Sequence, residues 1–423
     1  MERVLLFLLQ KLGVKPYRQT EIVLAVKKRL KSLILALRNC FLALGVGFLF
    51  AFVWSTNFGT ATDQWLVKQF FSLRGNLAPP SEVVLIGIDD ESFGELGESP
   101  RWPLPREHFA TALENVVAAN PRLVILDLTA LTENHDPEAN ARIEAAMRRG
   151  KVTLGKGWVS SAQKAQVDDY VLLADPTLAD AAALNLEMFL RSDRGTVWAI
   201  ALFHEGVKVS PEKRYPLLSA LRDIAGYDIV APPPQNLINF YGPAGTINRI
   251  RFSKLVLPGA EDIARELTDK VVLIGFQSIA RKRGHIYQEE FSVPVPGSLM
   301  FGAEIHATIA ANLIENSSIA RWPRSTEVLL LIFLLFGMTL LTLVAPVTLS
   351  WCFSFGLTAL YITLSAVFFV WYSFFLPGAA LLVMALAFVL LPTTLLRTLS
   401  DRGKIRSLLS RFGIYSEEEL DLK

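Results

Sequence analysis

The stretch Leu33–Trp54 reads LILALRNCFLALGVGFLFAFVW. It has the roughly 20 residues a helix needs to cross the ~30 Å hydrocarbon core of a bilayer. Three further apolar runs crowd the other end of the chain, at Glu327–Val344, Trp351–Trp371 and Pro377–Leu396. Short uncharged turns near Pro346 and Pro377 join them. Three spanning-length runs with almost nothing between them fit a membrane bundle better than the core of a large soluble domain. The chain is therefore predicted to have four transmembrane helices, one N-terminal and three C-terminal. Arg38, near the start of the first, can snorkel to the interface.

Charge orients these spans. Lys27, Lys28, Arg29 and Lys31 precede the first, and Arg397, Arg402, Lys404, Arg406 and Arg411 follow the last. The positive-inside rule puts both termini in the cytoplasm, and an even number of crossings requires the same. The expected plan is a cytoplasmic segment over 1–32, a span over 33–54, an extracytoplasmic domain over 55–325, three spans over 326–396 and a cytoplasmic tail over 397–423. A multi-pass protein of the inner (plasma) membrane is implied. The first run starts too far from Met1 for a signal peptide and lacks a small-residue cleavage site. The spans are read as free of Asp and Glu, which argues against a transporter. A formal net charge of +2 gives no reason to expect nucleic acid as a partner. The two cysteines, Cys40 and Cys352, lie in apolar runs, so the middle of the chain depends on its core and not on disulfides.

That middle alternates buried strands with helices. EVVLIGID, PRLVILDL, KVTLGKG and DKVVLIGF are strand patterns. PREHFATALENVVAAN places Phe109, Leu113, Val116 and Val117 on one helical face. DPEANARIEAAMRRG has Asp136 as N-cap and Arg148 and Arg149 in its last turn. GAEIHATIAANLIEN is a further helix. Strands apolar on both faces between helices predict an α/β fold, a mostly parallel sheet with helices on both faces. Between about 159 and 236 the pattern blurs into a strand, a helix and a hairpin without clear order.

These blocks taken together resemble the CHASE type-two domain, the second kind of cyclase- and histidine-kinase-associated sensory extracellular domain. The resemblance rests on VVLIGIDDESFGELGESPRWPLPREHFATALENV, PRLVILDL, INFYGPAGTINRIRFSKLV, LTDKVVLIGFQSIA and PGSLMFGAEIHATIAANLIEN, in that order. The plan of one span, a large domain and three close spans is also similar, so the likeness covers about 33–396. Family members often show an Asp and a Thr-Pro step where this chain reads YQEEFSVPVPG, so Glu289 or Glu290 is read as standing in for the acid. The family usually continues into a cyclase, kinase or other output domain. Here the tail KIRSLLSRFGIYSEEELDLK is similar to the segment before a cyclase domain, and the expectation is a sensor without a catalytic output domain of its own. The resemblance implies a membrane-bound sensor of an unknown extracytoplasmic small ligand. Its output would pass to a cytoplasmic signalling partner in trans, with a homodimer possible and close helix approach allowed by Gly45 and Gly47. A ligand-free membrane scaffold and an outer-face metal-assisted hydrolase are the alternatives.

Ligands of open parallel sheets bind beyond the carboxyl ends of the strands. Asp89 and Asp90 end one strand, Asp127 ends a second, and Gly275 and Gln277 end a third. If these strands are neighbours, the residues converge on one rim and, with Arg106, make a pocket for a small molecule or cation. The same residues have a structural reading, which the sequence leaves open. Asp90 would cap the helix ESFGEL and Arg106 would pair with Asp89 or Asp127. Trp102 would plug the sheet, its approach fixed by Pro103 and Pro105. Glu304, His306 and Asp89 lack the HExxH spacing, and no Cys/His cluster is present, so no metal is expected. YGPAGT lacks the Lys-Ser/Thr of a phosphate loop and reads as a glycine turn. Arg281, Lys282 and Arg283 read as a solvated cluster. With no Ser–His–Asp arrangement, neither catalysis nor a cofactor is expected.

Overall fold

The computed structural model describes residues 16–100, 104–128, 136–156, 176–188, 190–201, 208, 210–278, 281–282, 285–286, 290–297, 299–395 and 397–399. The chain divides into two compact units. One comprises 1–63, 325–364 and 377–423, and the other comprises 64–324 and 365–376.

Among the described residues, four helices, lying wholly or mostly in the first unit, are long and apolar enough to cross a membrane. Helix α1 is continuous over Pro16–Ser55, and its apolar window runs Ile22–Ser55. It thus begins well before the run at Leu33, because the lysine-rich segment has good helix propensity and nothing in it breaks the helix. The others are Arg324–Val344, Val347–Tyr372 and Ala379–Leu399. Gly47 lets α1 approach the Arg324–Val344 helix closely: a Cβ there would lie 3.2 Å from the Ile332 carbonyl oxygen. Gly47 is thus engaged within the chain, whereas Gly45 faces open space. Glu327, in the first turn of the Arg324–Val344 span, is buried, so that span is not free of acid. A second buried acid, Asp63, accepts hydrogen bonds from Trp54 Nε1 at 3.1 Å and from the Gly378 amide at 2.9 Å.

The second unit opens with helix α2, Asn57–Arg74, of which it holds all but the first turns. Its centre is a six-stranded, wholly parallel sheet. The strands are β1 Val83–Ile88, β2 Leu123–Asp127, β3 Val152–Lys156, β4 Leu184–Glu187, β7 Arg249–Arg251 and β8 Val271–Phe276. Their spatial order is β4-β3-β2-β8-β1-β7. β1 and β8 are buried along their whole length, which is why they read as unbroken apolar runs. One face is packed by helices α4, Arg106–Ala118, and α5, Pro137–Arg149, around a core that includes Ile86, Ile88, Phe109, Leu113, Leu126, Ile143 and Ile274. Burying each such side chain contributes about 1.5–3 kcal/mol. As predicted, Asp136 caps α5 and accepts a hydrogen bond from the Ala139 amide at 3.0 Å. The opposite face receives helix α8, Gly302–Glu315, which packs on β1 and β8.

The segment with the blurred pattern holds helix α6, Pro176–Ala181, then β4, then a two-residue hairpin. In the hairpin, β5 Ser192–Asp193 pairs with β6 Thr196–Val197. Arg194 and Gly195 both have positive φ, as the tight turn of a right-twisted hairpin requires. β5 and β6 form a small four-stranded sheet with β11 Glu290–Ser292 and β12 Leu299–Phe301. Arg281–Lys282 and His285–Ile286 pair as β9 and β10, while Arg283, Glu289 and the segment 1–14 lie outside the described residues.

Candidate functional site

At the carboxyl end of β1 the chain turns directly into helix α3, Asp90–Glu95. Asp89 is its N-cap, and its Oδ1 accepts from the Ser92 amide at 2.8 Å and from the Ser92 hydroxyl at 2.6 Å. Oδ2 faces two guanidinium groups from the neighbouring β7, Arg251 Nε at 3.4 Å and Arg249 Nη2 at 3.9 Å. Arg251 also binds Glu91 and, at 2.8 Å, Glu95. Glu95 further accepts from the Ser253 hydroxyl and faces Lys254 at 3.4 Å. Three carboxylates of one short segment are thus neutralised from the strand beside it.

Because β8 lies between β1 and β2, the three strand ends predicted to converge do converge. Gln277 follows β8, donating its amide to the Ile88 carbonyl and accepting from Arg249 Nη1 at 3.1 Å. Asp127 lies level with Gly275 of β8, and its Oδ2 is 2.7 Å from His306 Nδ1. His306 comes from α8, which can sit this close only because Gly275 has no side chain: a Cβ there would collide with that of Ala303. Two residues earlier, Glu304 is almost wholly buried and bound by the glycine turn over 241–247. The Gly245 amide donates to its Oε1 at 2.6 Å, and the neighbouring amides of Thr246 and Ile247 act on it electrostatically. Burial raises the Glu304 carboxyl above its usual range, while these amides and the charge of Arg249 act against that rise.

Some partners differ from those expected. Asp89, not Asp90, caps α3, because the chain leaves the extended conformation at Asp89 (φ −106°, ψ 171°) and Asp90 is already helical. Asp90 instead accepts from the Ser278 hydroxyl. Arg249 and Arg251 lie beside Asp89 and His306 beside Asp127, where Arg106 was anticipated. Arg106 is buried in the first turn of α4, behind Pro105. Trp102 and Pro103 lie outside the described residues. His306 pairs with Asp127, not with Asp89, and among the described residues no group of three or more His, Cys, Asp or Glu is placed to hold a metal ion.

The family model of the CHASE2 domain matches residues 43–342. The chain belongs to the CHASE2 domain family. No curated protein and no solved structure matches it. A CHASE2 domain together with four helices long and apolar enough to cross a membrane supports a membrane sensor.

The far end of α8 in this CHASE2 domain carries residues that the sequence pattern had not singled out. Asn312 is 1% exposed; its Oδ1 accepts from the Asn239 amide at 2.7 Å and its Nδ2 donates to the Asn239 carbonyl at 3.0 Å. The Asn239 side chain accepts from Arg74, at the end of α2, which also donates to the Phe240 carbonyl. Burial lowers the Arg74 pKa to about 10. Tyr241 donates to Glu315 at 2.5 Å, and burial holds its hydroxyl well above the usual phenol range. Beyond α8, the Ala320 amide donates to the Ser373 carbonyl and the Phe375 amide to the Ala320 carbonyl.

Proposed function

We propose that the α/β unit lies outside the cytoplasm, detects a small ligand at the strand-end rim, and transmits its binding through the span ends to a cytoplasmic partner in trans. The observation that carries this reading is the position of α8. Its N-terminal turns meet the rim through Glu304 and His306. Its C-terminal turn and the residues after it are hydrogen-bonded to Asn239, and through Asn239 to Arg74 of α2. The same segment is paired at Ala320 to residues 373–375, next to the Val347–Tyr372 span. Fourteen residues of helix make a rod of about 20 Å. A ligand transmits only if it favours one position of that rod over another.

The rim carboxylates have uneven roles in this reading. Asp89 is occupied as a cap and by two arginines, which favours a scaffold role for it and for α3. Asp127, His306 and Gln277 are the groups we assign to ligand contact, with Asp90 and Arg106 on the rim's edge. Turnover is no part of the reading. The test is hydrogen exchange of the full-length protein in lipid nanodiscs, with and without a small-molecule extract of the extracytoplasmic medium. We expect extract-dependent protection at 237–241 and 316–320 that His306→Gln abolishes. Unchanged exchange with every extract fraction would remove the rim as a sensory site.

A further inference from the structure

Helix α2 turns large apolar side chains outward. Trp65 is 61% exposed and Leu73 67%, and Phe58 is exposed with them. At 3.6 residues per turn these side chains fall within about 80° of one another on the helix. Val67 and Phe71, on the opposite face, are buried. The same outward face carries Thr62, Gln69 and Ser72, which are polar and uncharged, and exposed Lys68 stands at its edge. Aromatic and aliphatic groups mixed with neutral polar ones suit the boundary between lipid headgroups and acyl chains, where Trp is enriched.

Contacts at each half of α2 fix its level relative to the spans. Trp54, at the end of α1, donates to Asp63, nine residues further on. A continuous helix would hold that pair about 13 Å apart along its axis, so the chain turns sharply where α1 ends. Asp63 also accepts from the Gly378 amide, at the start of the last span. In the second half of α2, Phe70 and Phe71 pack on Phe369, with ring centroids 5.4 and 5.1 Å apart. Phe369 lies in the last turn of the Val347–Tyr372 span. Trp371 and Tyr372 close that span and are both exposed, as aromatic residues are where a helix leaves a bilayer.

We infer that α2 is a lipid-contacting helix, lying along the membrane surface on the side of the α/β unit with Phe58, Trp65 and Leu73 set into the phospholipid interface. Lys68 at the edge of the face lays its stem on apolar surface and reaches headgroup phosphates with its ammonium. The inference rests on the four helices crossing the membrane. It depends neither on a ligand at the rim nor on which side of the membrane is cytoplasmic.

The experiment measures the depth of single nitroxide labels on the full-length protein in phosphatidylcholine nanodiscs wide enough for two copies. Cys40→Ala and Cys352→Ala remove the native thiols. Labels are then placed through Trp65→Cys or Leu73→Cys, with Val230→Cys in the α/β unit and Phe41→Cys in α1 as references; all four positions are exposed, so no packed side chain is lost. Relaxation by oxygen, which concentrates in lipid, is compared with relaxation by a neutral nickel chelate, which stays in water. Nickel is expected to be severalfold less effective at 65 and 73 than at 230, and oxygen more effective. The label at 41 should lie deeper than either. Nickel access at 65 and 73 equal to that at 230 overturns the inference. So does spin–spin broadening at 65 that unlabelled protein dilutes away, because a second copy then covers the face. A label at 41 open to nickel would remove the span itself, and the inference with it.

Discussion

Asp89 leaves β1 with its two carboxylate oxygens facing different ways, Oδ1 into the first turn of α3 and Oδ2 toward Arg249 and Arg251. The two roles can be separated by substitution. Asn caps helices about as well as Asp, whereas Ala does not. Asp89→Ala is expected to destabilise the protein by about 1–2 kcal/mol. Asp89→Asn should cost under about 1 kcal/mol, since the ion pairs are partly solvated. Denaturant titration of the detergent-solubilised protein distinguishes the two, and equal losses would show that the cap contributes nothing. Glu304 gives a pH signature. Its folded-state pKa lies above the ordinary 4.5, so the folded state holds this proton more tightly than the unfolded state. Between the two values stability falls as the pH rises, and above the folded value the loss is complete and constant. Glu304→Gln should remove this component, and the thermal midpoint should then drop less between pH 4 and neutrality. An unchanged pH slope would mean that the carboxyl is not desolvated.

At the scale of elements, α8 is held at both ends by polar side chains and in its first turn by close approach to β8. Asn312→Ala would leave the Asn239 amide and carbonyl without partners in a buried place, a cost of about 2–4 kcal/mol. Faster hydrogen exchange at 237–241, with β1 and β8 unaffected, would be the local readout. Gly275→Val should act differently, by forcing α8 away from β8 and separating His306 from Asp127. What the sequence made legible follows the same division. β1, β2, β3 and β8 are readable because burial on both faces leaves continuous apolar runs, and their acidic ends mark where each strand emerges. The neighbourhood of β1, β8 and β2 could only be supposed, because parallel pairing is set by contacts between residues far apart in the chain. For that reason Arg249 and Arg251 were not foreseen as partners of Asp89, about 160 residues earlier. The choice between Asp89 and Asp90 as cap turned on one residue's backbone angles, which two adjacent acids do not reveal. The order of elements around β5 and β6 was hidden for another reason: the two strands have two residues each, too few for any periodicity.

At the scale of the whole molecule, the basic residues at 27–31 and 397–411 predict that both ends lie on the cytoplasmic side. Protease added to intact spheroplasts should therefore cut within the α/β unit and spare tags on the two termini. Cleavage of the tags with protection of the α/β unit would invert the orientation and the signalling direction proposed from it. The division of the chain also affects how the sensory part can be studied. Residues 365–376, the end of the third span and the turn after it, belong with the α/β unit. There Phe369 and Phe375 pack against Phe70, and Phe369 also against Phe71, which in turn meets Phe240. A recombinant fragment ending before the C-terminal spans would strip two rings from this cluster and leave Phe70 and Phe71 facing water. Such a fragment should be sticky in solution, and a soluble sensory domain will need residues 365–376 stitched back on.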